Sequence, residues 1–211
     1  MKAQKSVSRT LAALALSLCG FAGSASATSI SIANGSFESG TLVQPFTTVG
    51  TGGTNIDDWA VSGSVDYIGN YWQAADGVRS LDMNGFNSAG KITQQIVVPE
   101  DGNVTIRFAM AGNVDNGPAL KILAVSLVSL DQTFSFLVTN QTKSNMGWLY
   151  YSAVFTGVSA GSYTLGFESQ IAGSFGPALD DISASVPDGG TTLSLLGIAL
   201  AGFGFLRRKQ A

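Results

Sequence analysis

Short runs of alternating apolar and polar residues, cut apart by Gly and Asn, recur through the middle of this chain, and no 3.6-residue stripe competes with them. Ile92, Gln94, Ile96 and Val98 alternate with Thr93, Gln95 and Val97, and Val104, Ile106, Phe108 and Met110 repeat the pattern. Successive side chains of a strand point to opposite faces, so a period of two is the mark of a half-buried strand. The segments 59–61, 64–68, 79–83, 92–98, 104–111, 122–130, 133–139, 149–156, 162–169 and 178–184 are the expected strands. Regular strands with turn signals between them predict an all-β jelly-roll sandwich rather than a parallel α/β sheet. The Thr- and Gly-rich stretch 47–55 is expected to be a surface loop.

The last strand constrains the rest. Gly176-Pro177 breaks the backbone, and Ala178-Leu179-Asp180-Asp181-Ile182-Ser183 alternates out of the domain. Period two places Asp180 with Ala178 and Ile182, and Asp181 on the opposite face. Two acids in a closing strand are costly unless donors or a cation meet at least one of them. Their expected partner is Asn34-Gly35-Ser36-Phe37-Glu38, at the start of the domain. Either the acids are solvated near an edge, or oxygen ligands from first and last strands hold a cation.

Both ends read as targeting segments. Residues 1–27 carry a basic start (Lys2, Lys5, Arg9), an apolar run from Leu11 to Phe21, and Ala25-Ser26-Ala27. That order predicts an N-terminal signal helix cut once by signal peptidase after an Ala-x-Ala site formed by Ala25 and Ala27, leaving Thr28 first. Lipoprotein processing at Cys19 is the rival, against which Leu18 is too large. At the other end, Val186-Pro187-Asp188-Gly189-Gly190 precedes an apolar segment, 191–206, and Arg207-Arg208-Lys209. Sixteen helical residues span about 24 Å, short of a ~30 Å hydrocarbon core unless the arginines snorkel. The basic end is expected to stay cytoplasmic, with the domain outside. Motif, short apolar helix and basic end together resemble a PEP-CTERM sorting signal in a Val-Pro-Asp-Gly-Gly variant. The resemblance implies an exosortase, transient anchoring in the inner membrane, and release to the cell surface or extracellular matrix. The plain alternative is a C-terminal anchor.

Between those ends, residues 28–186 form one domain of ordinary size. It holds thirteen acids against five bases (Arg79, Lys91, Arg107, Lys121, Lys143), a net charge of −8. Such a domain lacks the basic patch that nucleic acid requires. The one cysteine, Cys19, leaves with the signal, so the exported domain has no disulfide.

The sequence contains no histidine, which removes Ser-His-Asp and Cys-His catalysis and His-based zinc sites. Gly85 to Lys91 has phosphate-loop spacing, but Ile92 stands where Ser or Thr should hold magnesium, and a strand follows instead of a helix. The neighbouring acids Asp57-Asp58 and Glu100-Asp101 make poor glycosidase pairs, because adjacent residues diverge. The expectation is a protein that is not an enzyme.

Sugar binding needs rings to stack on pyranose C–H faces and amides or carboxylates to meet hydroxyls. Trp59, Tyr67, Tyr71, Trp72, Trp148 and Tyr150 are candidate rings, with Asn70, Asn84, Asn113 and Asn145 near them in sequence. Most rings in a sandwich are core, but one of Tyr71 and Trp72 should point outward. Arg79, the lone base between Asp76 and Asp82, is expected either in a buried salt bridge or against a ligand.

The blocks Asn34 to Glu38, Trp59-Ala60-Val61, Gly63 to Ile68, Asp76 to Gly85, Gly90 to Gln94, Ala111-Gly112-Asn113, Asn145 to Trp148 and Gly176 to Ile182, in that order, resemble the choice-of-anchor C family. More distantly they resemble the DUF642 proteins, both similar to galactose-binding-like jelly rolls. The resemblance implies a structural Ca²⁺ where the opening Asn-Gly-x-Phe-Glu meets the closing Asp-Asp. Glu38 and Asp180 would be its carboxylate ligands, with carbonyls around Ser36, Arg79 and Ser80 filling the shell. It also implies a surface or matrix protein that binds polysaccharide, the cell's own exopolysaccharide in particular. A structural matrix or adhesion protein without a sugar pocket is the alternative.

Overall fold

A computed structural model describes residues 27–187, and their regular structure is entirely β. The strands are β1 (Ala27–Ile30), β2 (Phe46–Gly50), β3 (Ala60–Ile68), β4 (Ser80–Asp82), β5 (Asn84–Gly85) and β6 (Ser88–Val98). β7 (Gly102–Gly112), β8 (Leu120–Leu127), β9 (Leu130–Leu137), β10 (Leu149–Val158), β11 (Gly161–Ser169) and β12 (Pro177–Pro187) complete them. The expected signal helix, the apolar segment 191–206 and motif residues Asp188, Gly189 and Gly190 lie outside the described residues, as does Ala25.

Two antiparallel sheets share β3. Residues 64–68 of β3 pair with β2, and 66–68 with β4, in a sheet ordered β10-β7-β12-β4-β3-β2. Residues 60–63 of the same strand pair with β6 and begin the second sheet, β3-β6-β11-β8-β9. The chain is therefore the all-β sandwich that its alternation predicts. β12 runs between β7 and β4, and its last residues pair with β1, Thr28 opposite Val186. Both ends of the domain thus leave from one place.

Aromatic rings fill the space between the sheets. Phe37 lies 5.8 Å from Trp59, Trp59 lies 6.3 Å from Phe167, and Phe167 lies 5.5 Å from Phe108. Phe37, Phe108 and Phe167 are fully buried, and each such side chain contributes about 1.5–3 kcal/mol. Side chains join the outer strands of the two sheets: Tyr151 Oη donates to Ser135 O (2.7 Å) and Gln132 Nε2 to Val154 O (2.6 Å).

Three elements depart from the expected strands. Segment 47–55 is not all loop, because Phe46–Gly50 forms β2 along β3. It reads as a loop because only Val49 of that strand is buried. Segments 59–61 and 64–68 are one strand, and 122–130 runs through the β8–β9 turn at Val128 and Ser129, both at positive φ.

Candidate functional site

The opening and closing segments do meet. Ile182 N donates to Gly35 O (2.9 Å), and Asn34 turns the chain at a φ of 50°. The alternation of β12 breaks there: Asp180 faces Ala109 and Ser183 faces Arg107, so the strand carries one extra residue, with Asp181 left-handed at a φ of 45°. Asp180 and Ile182 therefore do not continue one uninterrupted face, which corrects the simple period-two placement.

Each carboxylate grips the loop between Trp72 and Ser80. Glu38 Oε1 accepts the amides of Val78 and Arg79, both at 2.9 Å. Asp180 Oδ2 accepts those of Ala75 (2.8 Å) and Asp76 (3.0 Å), and its Oδ1 accepts Asp181 N (2.7 Å). Gly77, at a φ of 60°, passes directly under the Glu38 carboxylate, where a Cβ would collide. Burial pushes Asp180 up to about 7 despite those three amides. This donor set is the complement of an anion, whereas Ca²⁺ needs six to eight oxygens. Ser80, whose carbonyl region was the expected contributor, also anchors Trp72, its Oγ accepting Trp72 Nε1 at 2.8 Å. Among the described residues no group of three or more acids is placed to hold a metal. Of the two carboxylates that the resemblance names for Ca²⁺, with carbonyls around Ser36, Arg79 and Ser80, only Glu38 Oε2 accepts no hydrogen bond among the described residues.

Arg79 makes no ion pair with Asp76 or Asp82 among the described residues; its Nη1 donates to Gly40 O (3.2 Å) and to Tyr67 Oη. Of the candidate sugar-binding residues, Trp59, Tyr67 and Asn84 are core. They cannot form an exposed platform: Trp59 Nε1 donates to Asn34 O and Tyr67 Oη to Phe37 O beneath the opening segment, and Asn84 lies under the loop at 171–173. Trp72 is 5% exposed, while Tyr71 and Trp148 are half-buried and Tyr150 is exposed. Tyr71 and Trp72 line one cavity together; Trp148 does not.

That cavity, about 220 Å³, opens between the first half of β2, the second half of β3, the loop at 71–72, the β5–β6 turn, and the loops around 113–115 and 174–175. Its walls are rings: Phe46, Tyr71, Trp72, Phe86 and Phe175. Phe86 is 77% exposed and Phe46 37%. Phe46 packs edge-on against Tyr71 at 5.1 Å. Tyr71 is pinned, its hydroxyl donating to Asp115 Oδ2 (2.6 Å) and Lys143 Nζ lying 3.8 Å from its ring centroid. Lys143 also pairs with Asp115 Oδ1 at 2.9 Å. Burial raises the Asp115 pKa, but the Tyr71 hydrogen bond and Lys143 outweigh it and hold the carboxyl below its ordinary value.

Asp66, Asp82 and Asn113 also line this space, with Thr48 and Ser174. Asp66 and Asp82 are direct partners across β3 and β4. Asp82 is enclosed: Oδ1 accepts Asn84 N (2.9 Å) and Gly176 N (3.0 Å), and Oδ2 accepts Asn113 Nδ2 (2.7 Å). Burial pushes Asp82 up to about 7, with the Asp66 charge adding to the shift. Burial also raises Asp66, opposed by the hydroxyl of Thr48, which donates to its Oδ1. Oδ2 of Asp66 accepts no hydrogen bond among the described residues, so it is the open acceptor of the cavity.

The loops are held from behind. Lys121 is fully buried, and its Nζ donates to Asn116 O (3.0 Å) and Phe175 O (2.7 Å), tying two cavity loops together. Asn84 Nδ2 donates to Ile171 O and Gly173 O, both at 2.7 Å. Gly176 is required beside them, since a Cβ there would strike the Asn84 and Asp82 side chains.

Sequence reasoning missed Phe46, Asp66, Phe86, Asp115, Phe175 and Lys143. One signal was available: Phe86 sits between Gly85 and Asn87 in a turn, where a ring has no core to fill. The rest come from segments up to about 130 residues apart and carry no local mark.

These features define an antiparallel β-sandwich with an aromatic-walled, carboxylate-bearing cavity at the loops. Among solved structures the chain is similar to TmCBM61 in complex with β-1,4-galactotriose, at 18% identity over 72% of this chain and 95% of that one, with a TM-score of 0.49. It is also similar to a family 35 carbohydrate-binding module from Clostridium thermocellum (15% identity, 65% and 97% coverage, TM-score 0.45). A third is the CBM22-1 xylan-binding domain of Paenibacillus barcinonensis Xyn10C (18%, 74% and 93%, 0.43). No curated protein matches the chain. The chain belongs to the DUF642 family, described as a protein of unknown function, whose model matches residues 30–185. Residues 185–209 match the VPDSG-CTERM motif, with Gly189 where that name has serine.

Proposed function

We propose that this is an exported, non-enzymatic protein that binds neutral carbohydrate in the cavity of Phe46, Tyr71 and Phe86. The observation that carries the reading is the open Oδ2 of Asp66 beside exposed ring faces. Rings stack on pyranose faces while a carboxylate accepts hydroxyl hydrogens. Asp66, Asp82 and Asp115 in one space disfavour anionic sugars. A binder fits better than a hydrolase, because glycoside hydrolysis needs two working carboxylates and both oxygens of Asp82 and of Asp115 are already engaged, leaving Asp66 alone with a free oxygen. The C-terminal motif supports delivery to the cell surface by a sorting enzyme, and exopolysaccharide is the ligand class such a location offers.

A matrix role through protein contacts is favoured by one observation, the exposed leucines Leu120, Leu130 and Leu137 on β8 and β9. The two readings separate on a glycan array probed with the purified mature protein. Binding to neutral glycans, weakened in Asp66→Ala, supports the cavity; an array without signal, or a variant that binds unchanged, overturns it. Mass spectrometry of the surface form tests the sorting step. A C-terminus between Val186 and Gly190 is expected, and an intact Arg207-Arg208-Lys209 would mean a plain anchor.

A further inference from the structure

We infer that the cavity is one station of a groove that holds an internal stretch of a neutral polysaccharide rather than a terminal sugar. The inference rests on the carbohydrate reading above and names the form of its ligand. Three hollows adjoin along the loop that follows β3. The first is the aromatic cavity. The second, about 670 Å³, shares Tyr71 and Trp72 with it and adds Asn70, Gln73 and Lys143. The third, about 280 Å³, shares Gln73 and Ala74 with the second and adds Asn145, Trp148 and Tyr150.

The loops that line this track are fastened to each other. Gln73 N donates to Lys143 O (2.8 Å), and Trp148 Nε1 donates to Gln73 O (2.9 Å). Tyr150 is held at its hydroxyl by Asp181 Oδ2 (2.7 Å) and on one face by the Arg107 guanidinium, 4.0 Å from the ring centroid. The far end therefore has its own preorganised rings, which lowers the entropy lost on binding.

The polar chemistry recurs along the track as well. The side-chain amides of Asn70, Gln73 and Asn145 are exposed and make no hydrogen bond among the described residues. Each can donate to and accept from a sugar hydroxyl. A terminal-sugar pocket would need its chemistry at one end only; here rings and free amides repeat from Phe86 to Trp148. A linear chain can enter at one end, cross Tyr71 and leave past Tyr150.

Titration calorimetry with cello-, galacto- and xylo-oligosaccharide ladders, from monosaccharide to hexasaccharide, tests the groove on the full mature chain. Affinity is expected to rise with chain length in the ladder that binds. Trp148→Ala and Asn145→Ala are expected to weaken the hexasaccharide about three- to tenfold and to leave the disaccharide unchanged. Asn145 is exposed and guards against a folding defect in the tryptophan variant. Phe86→Ala is expected to weaken every length. Affinity independent of length, or far-end variants that bind the hexasaccharide as wild type does, overturns the groove while the cavity stands. Binding to no member of any ladder removes the carbohydrate reading itself.

Discussion

Asp180 and Asp66 are both raised by burial, both sit in strands of the same sheet, and they do opposite work. Asp180 is saturated, three backbone amides filling its two oxygens. Asp66 takes one hydroxyl from Thr48 and keeps an oxygen open. The first carboxylate is part of the scaffold, strapping the loop that carries Tyr71 and Trp72 to the closing strand. The second faces the space that the strapped loop encloses. Charge does not distinguish them; Asp180 is fully buried and Asp66 partly so, and the count of hydrogen bonds already made separates their roles. Asp82 lies between the two cases, lining the cavity with both oxygens engaged.

The largest expected effect is on the saturated side. Asp180→Ala leaves the amides of Ala75, Asp76 and Asp181 without their acceptor, at a cost of about 2–4 kcal/mol. That loss should lower Tm by roughly 5–15 °C. A calorimetric Tm equal to wild type would mean that the loop does not depend on the strap.

Next comes pH. Asp82 and Asp180 sit at about 7 in the folded protein, above the ordinary 3.8. The fold therefore favours their protonated forms. That stability is fully present below pH 3.8 and is lost as pH rises through about 7, with a slope of at most about 1.4 kcal/mol per unit per group. Asp115, held below its ordinary value, works the other way and loses stability only in stronger acid. Tm should fall between about pH 4 and 7, and Asp82→Asn should flatten the fall. A Tm that rises over this window would contradict the assignment of both groups.

On the open side the effects fall on binding and spare the fold. Asp66→Ala is expected to weaken glycan binding about tenfold and to shift stability by less than about 1 kcal/mol. Phe86→Ala, at a highly exposed ring, should cost about 0.5–1.5 kcal/mol of binding with an unchanged melt. A melt that drops as far as that of Asp180→Ala would erase the distinction between the two regions.

The smallest expected effect is that of calcium. With amides at Glu38 and Asp180, added Ca²⁺ should leave Tm unmoved. A bound ion at a hundred times its Kd would raise stability by about 2.7 kcal/mol. Such a rise, abolished by Asp180→Ala, would restore the ion that the family resemblance implies.

The alternation of Ile92 to Val98 and of Val104 to Met110 was enough to place β6 and β7, because period two reports one covered face directly. The motifs at 34–38 and 176–182 identified two segments that meet, and the tail motif was readable outright. Sequence alternation separates the two faces of a strand but does not say what covers each. Trp59 and Tyr67 therefore passed as candidate platforms until the second sheet and the opening segment closed over them. Nor does it count hydrogen bonds: that Glu38 and Asp180 would meet amides, and that Asp66 would keep an oxygen free, depended on loops far away in the chain. The extra residue in β12, at Asp181, moved the pattern by one position with no local signal but two adjacent acids. The strands follow from local periodicity, whereas the cavity is a product of closure. Its walls come from β2, β3, β4, β5 and four loops, and only packing brings Phe46, Asp66, Phe86 and Phe175 to one space.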